Sequence, residues 1–154
     1  ESGHNYYLLG VDELSNALLE HEFAHAMFFT LPEYKEEMTK MNEDCDPTVR
    51  DMMCKCITEY GYADHVLPDE LQAYMSTGLG SKMKQMNIPN IEEWCEKYRE
   101  VFDKYYNKNL YPNPKLTDIS SISTYEKVAP IASILEKFPI FALIFEYVAI
   151  LTFP

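Results

Sequence analysis

Between Asp12 and Leu31 the inward-facing positions of a helix fall at Leu14, Leu18, His21, His25 and Phe28, in steps of four, three, four and three. Those steps keep to one face of a helix with 3.6 residues per turn. The stripe that would turn towards the core therefore contains two imidazoles. On that face both would turn away from solvent, where ring nitrogens call for polar partners. Asp12 stands where an N-cap belongs, and Pro32 ends the run.

The rest of the chain reads as further helices around that one. Glu33 to Met41 can form a second, more polar helix. Asp46-Pro47 is a helix start, with Asp as cap and Pro at the first position, and that helix should run to about Tyr60 and stop at Gly61. Tyr62 to Leu67 reads as a connection. Pro68 opens a helix from Asp69 to about Thr77, closed by Gly78 and Gly80. Asn90 with Glu93 resembles a capping box ahead of Ile91, Trp94, Tyr98, Val101 and Tyr105, which again follow the helical period. Asn5 to Leu9 is short and aromatic, ends at Gly10, and reads as a strand. Tyr111 to Thr124, rich in Pro, Asn and Ser, reads as a loop.

From Val128 onward the chain is strongly apolar. Pro139 to Pro154 has Glu146 as its one ionisable residue and is shorter than the roughly 20 residues a membrane span requires. A buried terminal helix or strand is the plain reading. A membrane-facing or partner-facing tail is the alternative. With 154 residues, 47% apolar and only five Gly, the chain suits one domain over 1–154. It begins at Glu1, which reads as a processed form or a piece of something longer.

The formal net charge of −12 argues against nucleic acid, because neutralising phosphates takes clustered Lys and Arg. Cys45, Cys54, Cys56 and Cys95 make no CxxC pair, so neither a disulfide framework nor a structural zinc knot is expected. Free thiols fit a reducing compartment such as the cytoplasm.

The two histidines belong to His21-Glu22-Phe23-Ala24-His25, a His-Glu-x-x-His sequence. Residues four apart on a helix lie one turn above each other, so both rings can reach one ion at about 2.0–2.1 Å. Glu22 leaves the helix about 100° round from His21. That sets its carboxylate beside the ion, where it can take a proton from activated water. Phe23, Ala24, Ala26 and Met27 are uncharged, so the helix can be buried around the ion. Two core histidines satisfied by hydrogen bonds are the plain alternative.

This segment resembles the active-site helix of the HExxH zinc metallopeptidases. The resemblance implies Zn2+ as cofactor, His21 and His25 as ligands, Glu22 as catalytic base and a peptide or protein as substrate. The metzincin extension is absent, since Phe28 and Thr30-Leu31-Pro32 stand in its place. Pro68-Asp69-Glu70-Leu71-Gln72-Ala73-Tyr74 is similar to the gluzincin arrangement, in which a Glu on a second helix completes the site. That makes Glu70 the third ligand, with Asp69, Asp64 and His65 as other candidates. The family's usual Asp after the ligand Glu is Tyr74 here. The resemblance also calls for a Tyr or His to donate to the oxyanion, and Tyr60, Tyr62, His65 and Tyr74 cluster near the proposed ligand, with His65 and Tyr74 the chosen pair. The strand at Asn5 to Leu9 would then be an edge for an extended peptide, and His4 would be incidental.

The fold class expected is mainly α (α+β). It would be a compact helical zincin-like domain with an active-site helix, a second ligand-bearing helix and at most a small N-terminal strand or sheet. The function expected is metallopeptidase. The competing readings are a catalytically inactive peptidase-like domain that binds metal and a partner, and an inactive piece of a larger enzyme.

Overall fold

The first helix starts later than its sequence suggests. The computed structural model describes residues 5–11, 15–109, 117–118 and 147–153, with side chains over 15–106. Asp12 and Leu14 lie outside the described residues. Helix α1 runs Asn16–Thr30, and its cap is Ser15, whose hydroxyl accepts the Leu18 N–H at 3.2 Å. Leu31 is extended, as a residue before proline prefers, and Pro32 becomes the first residue of α2 (Pro32–Asp44). The expected end at Met41 falls short of that helix by one turn.

Helix α3 (Pro47–Glu59) starts as its sequence dictates: the Asp46 carboxylate accepts the N–H groups of Thr48 at 2.8 Å and Val49 at 3.3 Å. Such a cap is worth about 1 kcal/mol. Gly61 follows with φ 98°, a left-handed conformation that costs glycine least. A single 3-10 turn at Asp64–Val66 then leads into α4 (Leu67–Thr77), which Gly78 ends at φ 138°. The short helix α5 (Ser81–Gln85) was not expected from sequence.

Helix α6 spans Ile91–Asn109. The capping box at its start does not form. Asn90 has φ 57°, whereas a capping residue is extended, and Glu93 pairs with Lys97 at 2.7 Å.

Helix α4 is the hub. It contacts α1, α2, α3 and α6, and it buries Glu70, Leu71, Gln72, Ala73, Met75 and Ser76. A helix buried on so much of its circumference must satisfy its polar residues internally. Ser76 does so by donating to the Gln72 carbonyl at 2.6 Å. Asn42 of α2 donates to the Pro68 carbonyl at 2.9 Å and accepts from Tyr98 of α6 at 2.8 Å, which pins three helices at one amide. Around these bonds pack Phe23, Met27, Met38, Met53, Ile57, Leu71 and Phe102, all buried.

The stripe of α1 sits differently from its sequence reading. Leu19, Phe23, Ala24, Ala26, Met27 and Phe28 are the buried positions, while Leu18, His21 and His25 are only partly so. The histidines line a cleft at the margin of the core, because their ring nitrogens need polar partners that the apolar centre lacks.

Strands β1 (Asn5–Val11), β2 (Thr117–Asp118) and β3 (Tyr147–Phe153) form one antiparallel sheet in the order β1-β3-β2. Asn5 pairs with Phe153 and Val11 with Tyr147, and β1 lies against α1. Of the expected loop at Tyr111–Thr124, Thr117–Asp118 is strand and the rest lies outside the described residues. So do His4, Val128 to Ile140 and the remainder of the apolar stretch up to Glu146. Among the described residues the architecture is mainly helical, and no helix there is long and apolar enough to cross a membrane. Cys45, Cys54, Cys56 and Cys95 are free thiols.

Candidate metal centre

One turn of α1 brings the two rings together. His21 Nε2 and His25 Nε2 lie 3.2 Å apart, with the rings edge to face. Two nitrogens bound to one tetrahedral ion at 2.0–2.1 Å would be separated by about 3.3 Å. Opposite them, α4 supplies Glu70: Oε2 is 3.8 Å from His21 Nε2, and Oε1 is 3.7 Å from His25 Nε2. One ligand atom from each of His21, His25 and Glu70 falls within 4.8 Å of the others, so the three could hold a metal ion.

The partners of the other ring nitrogens fix the tautomers. His25 Nδ1 lies 2.9 Å from Asp69 Oδ1. A carboxylate only accepts, so that nitrogen carries the hydrogen. His21 Nδ1 lies 3.3 Å from the Thr77 hydroxyl, and Thr77 Oγ1 donates its own hydrogen to the Ala73 carbonyl at 2.7 Å. It must therefore accept from His21 Nδ1–H. In both neutral rings the lone pair is then left at Nε2. Two lone pairs facing each other at this distance repel unless a proton or a cation sits between them.

Glu70 makes the same demand. Its side chain is 11% exposed, and Oε2 has no hydrogen-bond partner. An ionised carboxylate oxygen held this way costs several kcal/mol unless positive charge meets it. Lone pairs on two nitrogens and an orphaned carboxylate oxygen, all turned to one point, suit a divalent cation.

The titration of these groups follows their burial. Burial, and then the charge of His25, push His21 down to about 4. Burial opposes protonation of His25 too, but the Asp69 hydrogen bond and the charges of Asp69, Glu70 and Glu22 outweigh it and raise the pKa. Burial raises both Glu22 and Glu70, against the lowering effect of His25.

A cavity of about 390 Å³ opens over the cluster, lined by Leu18, His21, Glu22, His25, Tyr62, Asp69, Glu70 and Tyr74. The structure thus brings together His21, Glu22, His25, Glu70 and Tyr74 of the expected site. The Tyr74 ring centre is 4.7 Å from that of His21, and burial, with Tyr62 next, raises its hydroxyl pKa well above the usual range. Tyr74 is therefore a neutral donor at ordinary pH.

His65 is not brought to the site. It lies exposed on the 3-10 turn, as does Asp64, and neither lines the cavity. The cleft is lined by residues of α1 and α4 and by Tyr62, and the turn at Asp64–Val66 contributes none of them. Tyr60 is 39% exposed and reaches the cluster only through Tyr74, at a ring separation of 6.3 Å.

Three contributors were not read from sequence in these roles. Asp69, weighed there as a ligand, is the partner of His25 Nδ1, and Thr77 is the partner of His21 Nδ1. Thr77 lies two turns beyond Glu70, on the face that also carries Ala73 and Tyr74, and that period was a usable signal. The third is Gln72, wholly buried, which donates from Nε2 to Asp69 Oδ1 at 3.0 Å and accepts from Tyr34 at 2.7 Å. Comparison with protein-family models, with curated proteins and with solved structures returned no match.

Proposed function

We propose that this chain is a zinc-dependent metallopeptidase domain of the HExxH, gluzincin-like kind, on a zincin-like helical fold. The observation that carries the reading is the convergence of His21 Nε2, His25 Nε2 and the orphaned Glu70 carboxylate on one point. When bound, zinc supplies Lewis acidity, which makes water acidic near neutral pH and polarises a carbonyl.

The chain's own residues supply the rest. Asp69 and Thr77 hold the ligand rings in the tautomer that keeps Nε2 free. Glu22 shares the cavity and takes a proton from the attacking water, then returns it to the leaving amine. Tyr74 donates to the oxyanion that forms when the peptide carbonyl is attacked, with Tyr62 beside it on the same wall.

Metal analysis of the purified protein, together with cleavage of a mixed peptide library with and without a chelator, tests this. The expected result is about one zinc per chain and cleavage that the chelator stops. Glu22→Gln should retain zinc and lose at least about 100-fold in rate, the usual contribution of a general base. Full activity in Glu22→Gln refutes the role of Glu22. Stoichiometric zinc with no cleavage of any peptide would favour the metal-binding interaction domain instead.

A further inference from the structure

The His25 side of the cluster does not end at Asp69. Tyr34, wholly buried on α2, donates its hydroxyl to Gln72 Oε1 at 2.7 Å. Gln72, wholly buried on α4, donates from Nε2 to Asp69 Oδ1 at 3.0 Å. Asp69 Oδ1 accepts in turn from His25 Nδ1 at 2.9 Å. Every direction along this chain is dictated by one group. The Asp69 carboxylate has no hydrogen to give, so Gln72 must turn its NH2 towards it, which leaves Oε1 for Tyr34 and makes Tyr34 the donor. His25 likewise must present Nδ1–H.

We propose that Tyr34 and Gln72 are positioning residues for the metal centre, acting through Asp69 to hold His25 in the orientation and tautomer that present Nε2 to the ion. The inference rests on the metal-site reading above.

Asp69 needs a second contact to keep its place beside His25. Its side chain is 34% exposed, so water competes for it, and it sits in the first turn of α4, where a carboxylate is free to rotate towards solvent. Gln72, one turn further along the same helix, reaches back and pins one of its oxygens. Gln72 in turn depends on Tyr34, which comes from a different helix. The hydroxyl of Tyr34 thus ties the position of α2 to the orientation of a ligand on α1, across α4. His21 has no such line, since its Nδ1 partner Thr77 is satisfied locally by Ala73.

The test uses zinc affinity by chelator competition and the visible spectrum of the Co2+-loaded protein, whose bands report ligand geometry. Tyr34→Phe removes one oxygen and keeps the packed ring; Gln72→Met removes both bonds at similar volume. Each should weaken zinc by about 10–100-fold, the range for a lost supporting bond, and each should alter the cobalt bands. In an Asp69→Ala background, where the line is already cut, Tyr34→Phe should change neither quantity further.

Wild-type affinity and spectrum in both variants would overturn the proposal. So would an equal loss from Tyr34→Phe with and without Asp69, which would mean general loosening of the core. If the wild-type protein itself takes up neither zinc nor cobalt, it is the metal-site reading that fails, a result distinct from unaltered variants of a protein that binds both.

Discussion

His21 and His25 differ in how they hold a proton, and that difference sets how a metal ion bound between them would respond to pH. His25 is raised above its ordinary 6.5, whereas His21 is lowered to about 4. Without metal, the pair therefore holds one proton through mildly acidic pH and a second only near pH 4. A metal ion at the two Nε2 atoms must expel whatever is held there. Above the raised His25 pKa nothing is expelled and the affinity is flat. Below it, apparent affinity falls about tenfold for each pH unit, and the slope steepens near pH 4 as His21 joins. Glu70, raised by burial, adds to the loss at the acid end. Zinc competition titrations from pH 5 to 8 check the sign: affinity that rises with falling pH would place the ion elsewhere. At Glu70 itself, Ala in place of the carboxylate should lower bound zinc at least about 10-fold, measured by metal content after dialysis. Unchanged stoichiometry would move the third ligand to another residue.

At the scale of elements, the site depends on how closely α4 lies against α1. Ala73 is wholly buried on the face that also carries Glu70, Tyr74 and Thr77. Ala73→Leu would overpack that contact at a cost of about 1–3 kcal/mol and would move Glu70 away from the two rings. Urea melts and zinc titration should therefore show loss of stability and loss of affinity together. Asp46→Ala, which removes only the cap of α3, should cost about 1 kcal/mol and leave zinc affinity unchanged.

The same distinction explains what was legible in the sequence. His21, Glu22 and His25 were readable because their relation is set within one helical turn. Asp46-Pro47 and Gly61 were readable because a cap and a left-handed residue are local. Glu70 was singled out through the gluzincin resemblance, and the structure sets it within reach of both rings. The start of α1 was misplaced because Asp12 and Ser15 are both good caps, and sequence cannot say which one the chain uses. The roles of Asp69, Gln72 and Tyr34 were hidden for a different reason. They exist only once α2, α4 and α1 have met, and nothing local requires a Gln to face a Tyr across that distance in sequence.

For the molecule as a whole, a metal held by α1 and α4 would cross-link the hub helix to the helix packed against it. The unfolded chain cannot offer Nε2 atoms and a carboxylate at one point, so binding energy becomes folding energy. At free zinc about 100 times its dissociation constant, the gain is about 2.7 kcal/mol. For a chain of this length that corresponds to about 5–10 °C in melting temperature. The chain also carries a net charge of −12, and divalent ions can relieve such repulsion from the surface without entering any site. Two controls separate these effects in thermal melts. Mg2+ screens the surface as zinc does but prefers oxygen ligands in octahedral geometry, so it should raise the melting point far less. The double variant His21→Ala, His25→Ala keeps nearly all of the surface charge and should lose the zinc-specific shift. Were that variant to gain as much from zinc as the wild-type protein, the ion would be acting on the acidic surface and the junction of α1 with α4 would not be its seat.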